Sequence, residues 1–181
     1  MAATTGGGDD VSQAEEWVLL AYRLPRLPST PRSAVWRKLR RLGVAQLGDG
    51  LVALPGDART REQLEWIAEE VTEHGGRAMV WLGHPLDPGV RSAIVTRMTA
   101  PIAAEYEAVA AAARAAHSAE AVTRRRELAR LRRELRRIQG RDFFPPRERE
   151  LALAAVERLA AGFDGLCEHT SRHIMTGRPP G

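Results

Sequence analysis

Apolar positions along the chain alternate between strand-like runs and short helical stripes up to residue 83 and keep a helical period after Pro88. Trp17 to Tyr22 is a continuous apolar run of strand length, closed by Pro25 and Pro28, and it predicts a central strand covered on both faces. In the next segment Val35, Leu39 and Leu42 fall on one helical face. Thr30 is placed to serve as N-cap, Pro31 as first helical residue and Gly43 as the left-handed stop. Val44 to Leu47 and Leu51 to Leu54 flank Gly48-Asp49-Gly50, the composition of a tight hairpin. A capping box, Thr60-Arg61-Glu62-Gln63, opens a second helix with the stripe Leu64, Ile67 and Val71, which ends at Gly75-Gly76. Arg77 to Gly83 then alternates, with Ala78, Val80 and Leu82 on one side and Met79 and Trp81 on the other. The order strand, helix, strand, strand, helix, strand is the split βαβ, ferredoxin-like arrangement.

Beyond Pro88, Ile94, Met98, Ile102, Tyr106 and Val109 recur at threes and fours, with Pro101 inside the pattern as a kink or a second start. Ser118 to Gln139 carries Leu128, Leu131, Leu135 and Ile138, a seam suited to a neighbouring helix of the same chain. Gly140 and Arg141-Asp142-Phe143-Phe144-Pro145-Pro146 break that helix, and the two phenylalanines are expected to tuck into the core. A last helix is expected from Arg147 to about Glu168, with Leu151, Val156 and Leu159 inward. The fold class expected is therefore α+β: a ferredoxin-like βαββαβ domain over 14–86, then a C-terminal helical extension over 87–170 containing a basic helix at 118–141. Residues 1–13 and 171–181 are read as disordered, since Gly-rich polar sequence buries too little surface to offset its ordering entropy.

The chain has 27 basic and 23 acidic residues, a formal net charge of +4, and every basic residue except Lys38 is arginine. An alanine-, glycine- and proline-rich composition with that bias reflects GC-rich coding, so only the placement of arginine carries meaning. One cluster, Arg32, Arg37, Lys38, Arg40 and Arg41, occupies the first helix without an acid between positions 31 and 42. The other places nine arginines between Arg124 and Arg141 against Glu127 and Glu134. Pairs at helical spacing, Glu120 with Arg124, Glu127 with Arg130 and Arg130 with Glu134, are worth about 0.3 kcal/mol each and leave most of that charge unopposed. Such helices attract phosphate, and the alternative is a solvated face. The candidate nucleic-acid contacts are Arg37, Lys38, Arg40, Arg41, Arg124, Arg125, Arg126, Arg132, Arg133, Arg136 and Arg137.

No catalytic set, cofactor motif or metal site is assigned. Cys167, the single cysteine, lies near His169 and His173, but a fourth ligand is lacking and the histidines read as surface groups. One cysteine forms no internal disulfide, the start lacks a signal-peptide pattern, and no apolar stretch is long enough to span a bilayer, so a cytoplasmic protein without membrane association is expected. Trp17, Trp36, Trp66 and Trp81 are embedded in apolar periodicity and read as core or helix-sheet packing on the inner helices and the two central strands.

Four segments, WVLLAYRLP at Trp17 to Pro25, PSTPRSAVWRKLRRLGVAQLGDGLVALP at Pro28 to Pro55, RTREQLEWIAEEV at Arg59 to Val71 and RRELRRIQGRDFF at Arg132 to Phe144, resemble the N-terminal domain of ChrB, the chromate-resistance regulatory protein of bacteria. The likeness takes in nearly the whole chain. It implies a non-enzymatic, DNA-binding transcriptional regulator that controls a chromate efflux transporter, with operator DNA as partner and a homodimer as the assembly. ChrB proteins carry a further domain linked to chromate sensing, and this chain is expected to end where that domain would begin, as a stand-alone form working with a separate ChrB C-terminal-type protein. The alternative is a protein-protein module that docks such a partner and touches no nucleic acid. The strand order also resembles the small nuclease subunits of CRISPR systems, whose metal is held by a carboxylate near the end of the first strand. Here that place reads Ala21-Tyr22-Arg23-Leu24, which argues against a metal-dependent nuclease.

Overall fold

The computed structural model describes residues 16–27 and 29–174, with side chains described as far as residue 161. The chain divides at Arg91/Ser92 into two compact units. The first contains β1 (Trp17–Arg23), α1 (Thr30–Leu42), β2 (Ala45–Gly48), β3 (Leu51–Pro55), α2 (Ala58–Glu73) and β4 (Arg77–Gly83). The strands form one sheet in the order β2-β3-β1-β4, every neighbour antiparallel, which makes the unit α+β.

Register explains which side chains build its core. Val18 and Leu20 stand opposite Leu54 and Val52 of β3, and opposite Leu82 and Val80 of β4. Val18, Leu20, Val52 and Leu54 are buried, as are Val35 and Leu39 of α1 and Leu64, Ile67 and Val71 of α2. Each such side chain contributes about 1.5–3 kcal/mol when fully removed from water. α1 stops at Gly43, whose φ of 77° is the left-handed value glycine adopts without a Cβ penalty.

Three expectations are corrected here. Ser29, not Thr30, holds the N-cap of α1, and it makes no side-chain capping bond. α2 begins at Ala58, ahead of the expected box, because Asp57 is the cap: its Oδ1 accepts from the Thr60 backbone N-H at 2.6 Å, and the Asp57 N-H donates to Thr60 Oγ1 at 3.0 Å. Thr60 thus sits in the third helical position, and its hydroxyl also donates to the Pro55 carbonyl at 2.6 Å. The tryptophans divide. Trp17 is 2% exposed on central β1, but β4 lies at the sheet edge, so Met79 and Trp81 are each 58% and Leu82 48% exposed. Trp66 is 61% exposed because the face of α2 turned inward is that of Leu64, Ile67 and Val71. Trp36 is half-buried.

The helices that follow are α3 (Pro88–Ala116), α4 (Ala121–Gln139) and α5 (Glu148–Ile174). α3 is continuous through Pro101, with Ile94, Met98 and Ile102 buried on either side of it. The core of the second unit joins Ile102, Tyr106, Val109 and Ala113 of α3 to the expected seam of α4, Leu128, Leu131, Leu135 and Ile138. α5 completes it with Ala152, Ala155, Val156 and Leu159, a run at helical spacing. Leu151 is one residue, about 100°, off that face, and it is 60% exposed instead of inward. The α4–α5 connection is tied back to α3. Tyr106 donates its hydroxyl to Asp142 Oδ2 at 2.8 Å, Arg149 lies 3.8 Å from the same oxygen, and Arg141 pairs with Glu105. Phe143 and Phe144 are half-buried at this turn, short of full enclosure in the core. α5 continues helical to Ile174, past residue 170 where a tail was expected; the rest of that tail, 175–181, and the expected disordered start lie outside the described residues.

The Asp142 side chain is only 1% exposed, so Tyr106→Phe removes the main donor to a buried carboxylate and should cost about 1–3 kcal/mol. Burial, then the hydrogen bond and charge of Asp142, push the Tyr106 hydroxyl well above its ordinary value of about 10. A phenol raised in the folded state contributes stability that is complete below that ordinary value and is lost as pH climbs toward the folded one. Thermal midpoints measured from pH 7 to about 11 should therefore fall above pH 10 in the native chain, and less steeply in Tyr106→Phe. Burial also raises Tyr22, which leaves the variant a residual slope.

Candidate nucleic-acid interface

The two arginine-rich helices fare differently once their neighbours are in place. On α1 the basic residues face solvent, as the Val35 and Leu39 stripe requires, but several are engaged. Arg32 donates to the carbonyls of Leu24 and Pro25 at 3.3 and 3.0 Å, fastening the end of β1 to the helix. Arg37 Nε donates to the Ser33 carbonyl at 3.3 Å, and Lys38 Nζ pairs with Glu70 Oε2 of α2 at 2.6 Å. Arg40 and Arg41 are exposed without an ion pair among the described residues. Arg41 and Lys38 border a groove of about 660 Å³ whose other wall is Trp66, Glu69, Glu70 and Glu73 of α2. The positive field read from α1 alone is thus opposed by acids of α2 at close range. Periodicity of α1 contains no information about α2.

On α4 the buried seam leaves the opposite face to arginine. Arg130 pairs with Glu127 at 2.8 Å, as its spacing suggests. Glu134 pairs with Arg137 in place of Arg130, whose guanidinium Glu127 already holds, and Arg137 also lies 3.9 Å from Glu105. Arg124 is half-buried and reaches the His117 carbonyl at 3.5 Å, and Arg125, though exposed, has a partner too. The side chains of Arg126, Arg132, Arg133 and Arg136 are exposed and make no ion pair or hydrogen bond among the described residues. These four guanidiniums share one helix and keep every donor available for bidentate contacts to phosphate oxygens.

Elsewhere, β1 ends in Arg23, whose register partner on β4 is Arg77, so cations and not carboxylates stand at that end of the sheet. Among the described residues no group of three histidine, cysteine or acidic side chains is placed to hold a metal ion, and Cys167, His169 and His173 lie beyond the described side chains. No helix of the described residues is long and apolar enough to cross a membrane. What the sequence reading missed is the outer face of α2, where Glu62, Trp66, Glu69 and Glu73 are all exposed. Their 4-3-4 spacing is the signal the sequence carries, masked by Trp66, a residue type that more often packs in a core.

The family model for "Protein ChrB, N-terminal" matches residues 32–120. A 66-residue stretch is 35% identical to "Protein ChrB" of Cupriavidus metallidurans. Through this segment the chain belongs to the ChrB N-terminal family. The stretch aligned with the Cupriavidus ChrB is 36% of this chain and 20% of that protein. The ChrB segment runs from α1 to the residue before α4, so β1 and the whole of α4 lie outside the matched span. No solved structure matches the chain.

Proposed function

We propose that this protein is a non-enzymatic, DNA-binding regulator in chromate resistance, holding the phosphates of an operator duplex through α4. The observation that carries the reading is the exposed, unengaged set Arg126, Arg132, Arg133 and Arg136 on one helix. Membership of the ChrB family supports the regulatory role. The element order and the strand order β2-β3-β1-β4 support treating the first unit as ferredoxin-like. Arg124, Arg125 and Arg137 flank the interface as engaged cations, while Arg40 and Arg41 of α1 offer a weaker second contact beside the acids of α2. Arg23 and Arg77 at the end of β1 repel a divalent cation, which speaks against hydrolysis of nucleic acid. The protein works in the cytoplasm.

A second reading, a module that docks a separate ChrB C-terminal-type protein, is favoured by one feature. Edge strand β4 exposes Met79, Trp81 and Leu82 beside a row of unpaired backbone groups.

Fluorescence anisotropy with the duplex upstream of this protein's own operon, against a scrambled duplex across a salt series, separates the two. The regulator should prefer the native duplex and weaken steeply with salt. Equal, weak binding to both duplexes would leave generic electrostatics and transfer the weight to docking through β4.

A further inference from the structure

Two helices of this chain carry complementary stripes. On α2, Glu62, Trp66, Glu69 and Glu73 follow a 4-3-4 spacing and are exposed. On α4, Arg126, Arg130, Arg133 and Arg137 follow the same spacing and are exposed. At about 100° per residue each set lies within a narrow strip along its helix, and at 1.5 Å rise each strip is about 16 Å long. Neither strip contains a residue of the opposite charge.

We infer that the acidic strip of α2 receives the arginine strip of α4 from a second copy of this chain. Charge complementarity selects the occupant, and so does the matched spacing. With the helices antiparallel, Glu62 meets Arg137, Glu69 meets Arg130 and Glu73 meets Arg126. Arg133 then lies over Trp66, where a guanidinium on an indole face gains a cation–π contact. That alignment opposes the helix dipoles favourably and gives the tryptophan one of the two arginines of the strip that make no ion pair among the described residues. Lys38 does not compete, because it is held by Glu70, which lies off the strip. Each copy owns one strip of each sign, so a pair in which both contacts form at once is symmetric about a two-fold axis. Part of the inference rests on the proposed function: if α4 also binds DNA, the acidic strip and a duplex compete for the same arginines.

Sedimentation velocity on the full chain at about 50 mM and about 500 mM salt tests the pairing, since exposed charges are screened over that range. A dimer at low salt that dissociates at high salt is expected. Glu69→Arg with Glu73→Arg should be monomeric at low salt, its dissociation constant raised at least tenfold, and Arg126→Glu with Arg130→Glu should be monomeric too. Mixing the two variants should restore a dimer, because one contact is then native and the other charge-swapped, and misfolded chains would not do this. A monomeric native chain at low salt, variants that dimerise like the native chain, or a mixture that stays monomeric would each overturn the inference. Adding duplex to the native dimer separates the two readings. Dissociation into DNA-bound monomers supports competition, whereas a dimer indifferent to duplex sinks the DNA reading and leaves the strip pairing intact.

Discussion

With Arg126, Arg132, Arg133 and Arg136 all replaced by alanine, affinity for duplex DNA at about 0.1 M salt should fall by about a thousandfold or more. The magnitude follows from counterion release: each neutralised phosphate contributes about 0.9 to the slope of log affinity against log salt, so removing four guanidiniums should flatten it by about 3 to 4. The loss should be nearly uniform across sequences, since phosphate contacts position a protein and base contacts specify. Folding should survive, because all four side chains are exposed and alanine is the strongest helix former. Replacing Arg130 and Arg137 instead should cost less, as each is already engaged by a glutamate of its own helix. Anisotropy across a salt series reads both affinity and slope. A quadruple variant within about tenfold of the native chain, with its slope unchanged, would remove α4 from the interface.

Gly50→Ala should destabilise the first unit by about 3 kcal/mol, the cost of left-handed backbone strain together with a steric displacement. Gly50 has a φ of 73°, and a Cβ placed there would lie 2.2 Å from the Tyr22 carbonyl oxygen. Neither group has room to retreat. The Gly50 carbonyl accepts the Tyr22 N-H at 2.7 Å, and the next residue, Leu51, is the register partner of Ala21. Gly48→Ala is the matched control in the same hairpin, since a Cβ there meets nothing within 4 Å, and it should change stability by no more than about 0.5 kcal/mol. Urea unfolding distinguishes them by midpoint at a common slope. Equal midpoints would show that the hairpin relaxes around the added methyl group and that its union with β1 is not tight.

Much of this architecture was legible before any coordinates. Leu64, Ile67 and Val71 are buried because a helix with that spacing has one apolar side, and any partner will cover it. The seam Leu128, Leu131, Leu135 and Ile138 met a helix of its own chain for the same reason. Gly48-Asp49-Gly50 marked the hairpin because turn geometry is local. Periodicity of this kind states which face of an element turns inward, and a single chain segment contains all of that information.

Which element lies next to which is information of another kind, and the candidate site depended on it. Lys38 looked like a free cation until Glu70, 32 residues away, came within 2.6 Å. Trp81 looked central until β4 was found at the sheet edge with β1 as its neighbour. Tyr106 and Asp142 are 36 residues apart, and only the packing of α3 against the α4–α5 turn joins them. The sequence by itself determined the elements, their inward faces and the arginine density of α4, because these are set by local spacing and solvation. Tertiary structure decided which of those charges remain available, because an ion pair depends on a distance between residues far apart in the chain, and no local pattern encodes it.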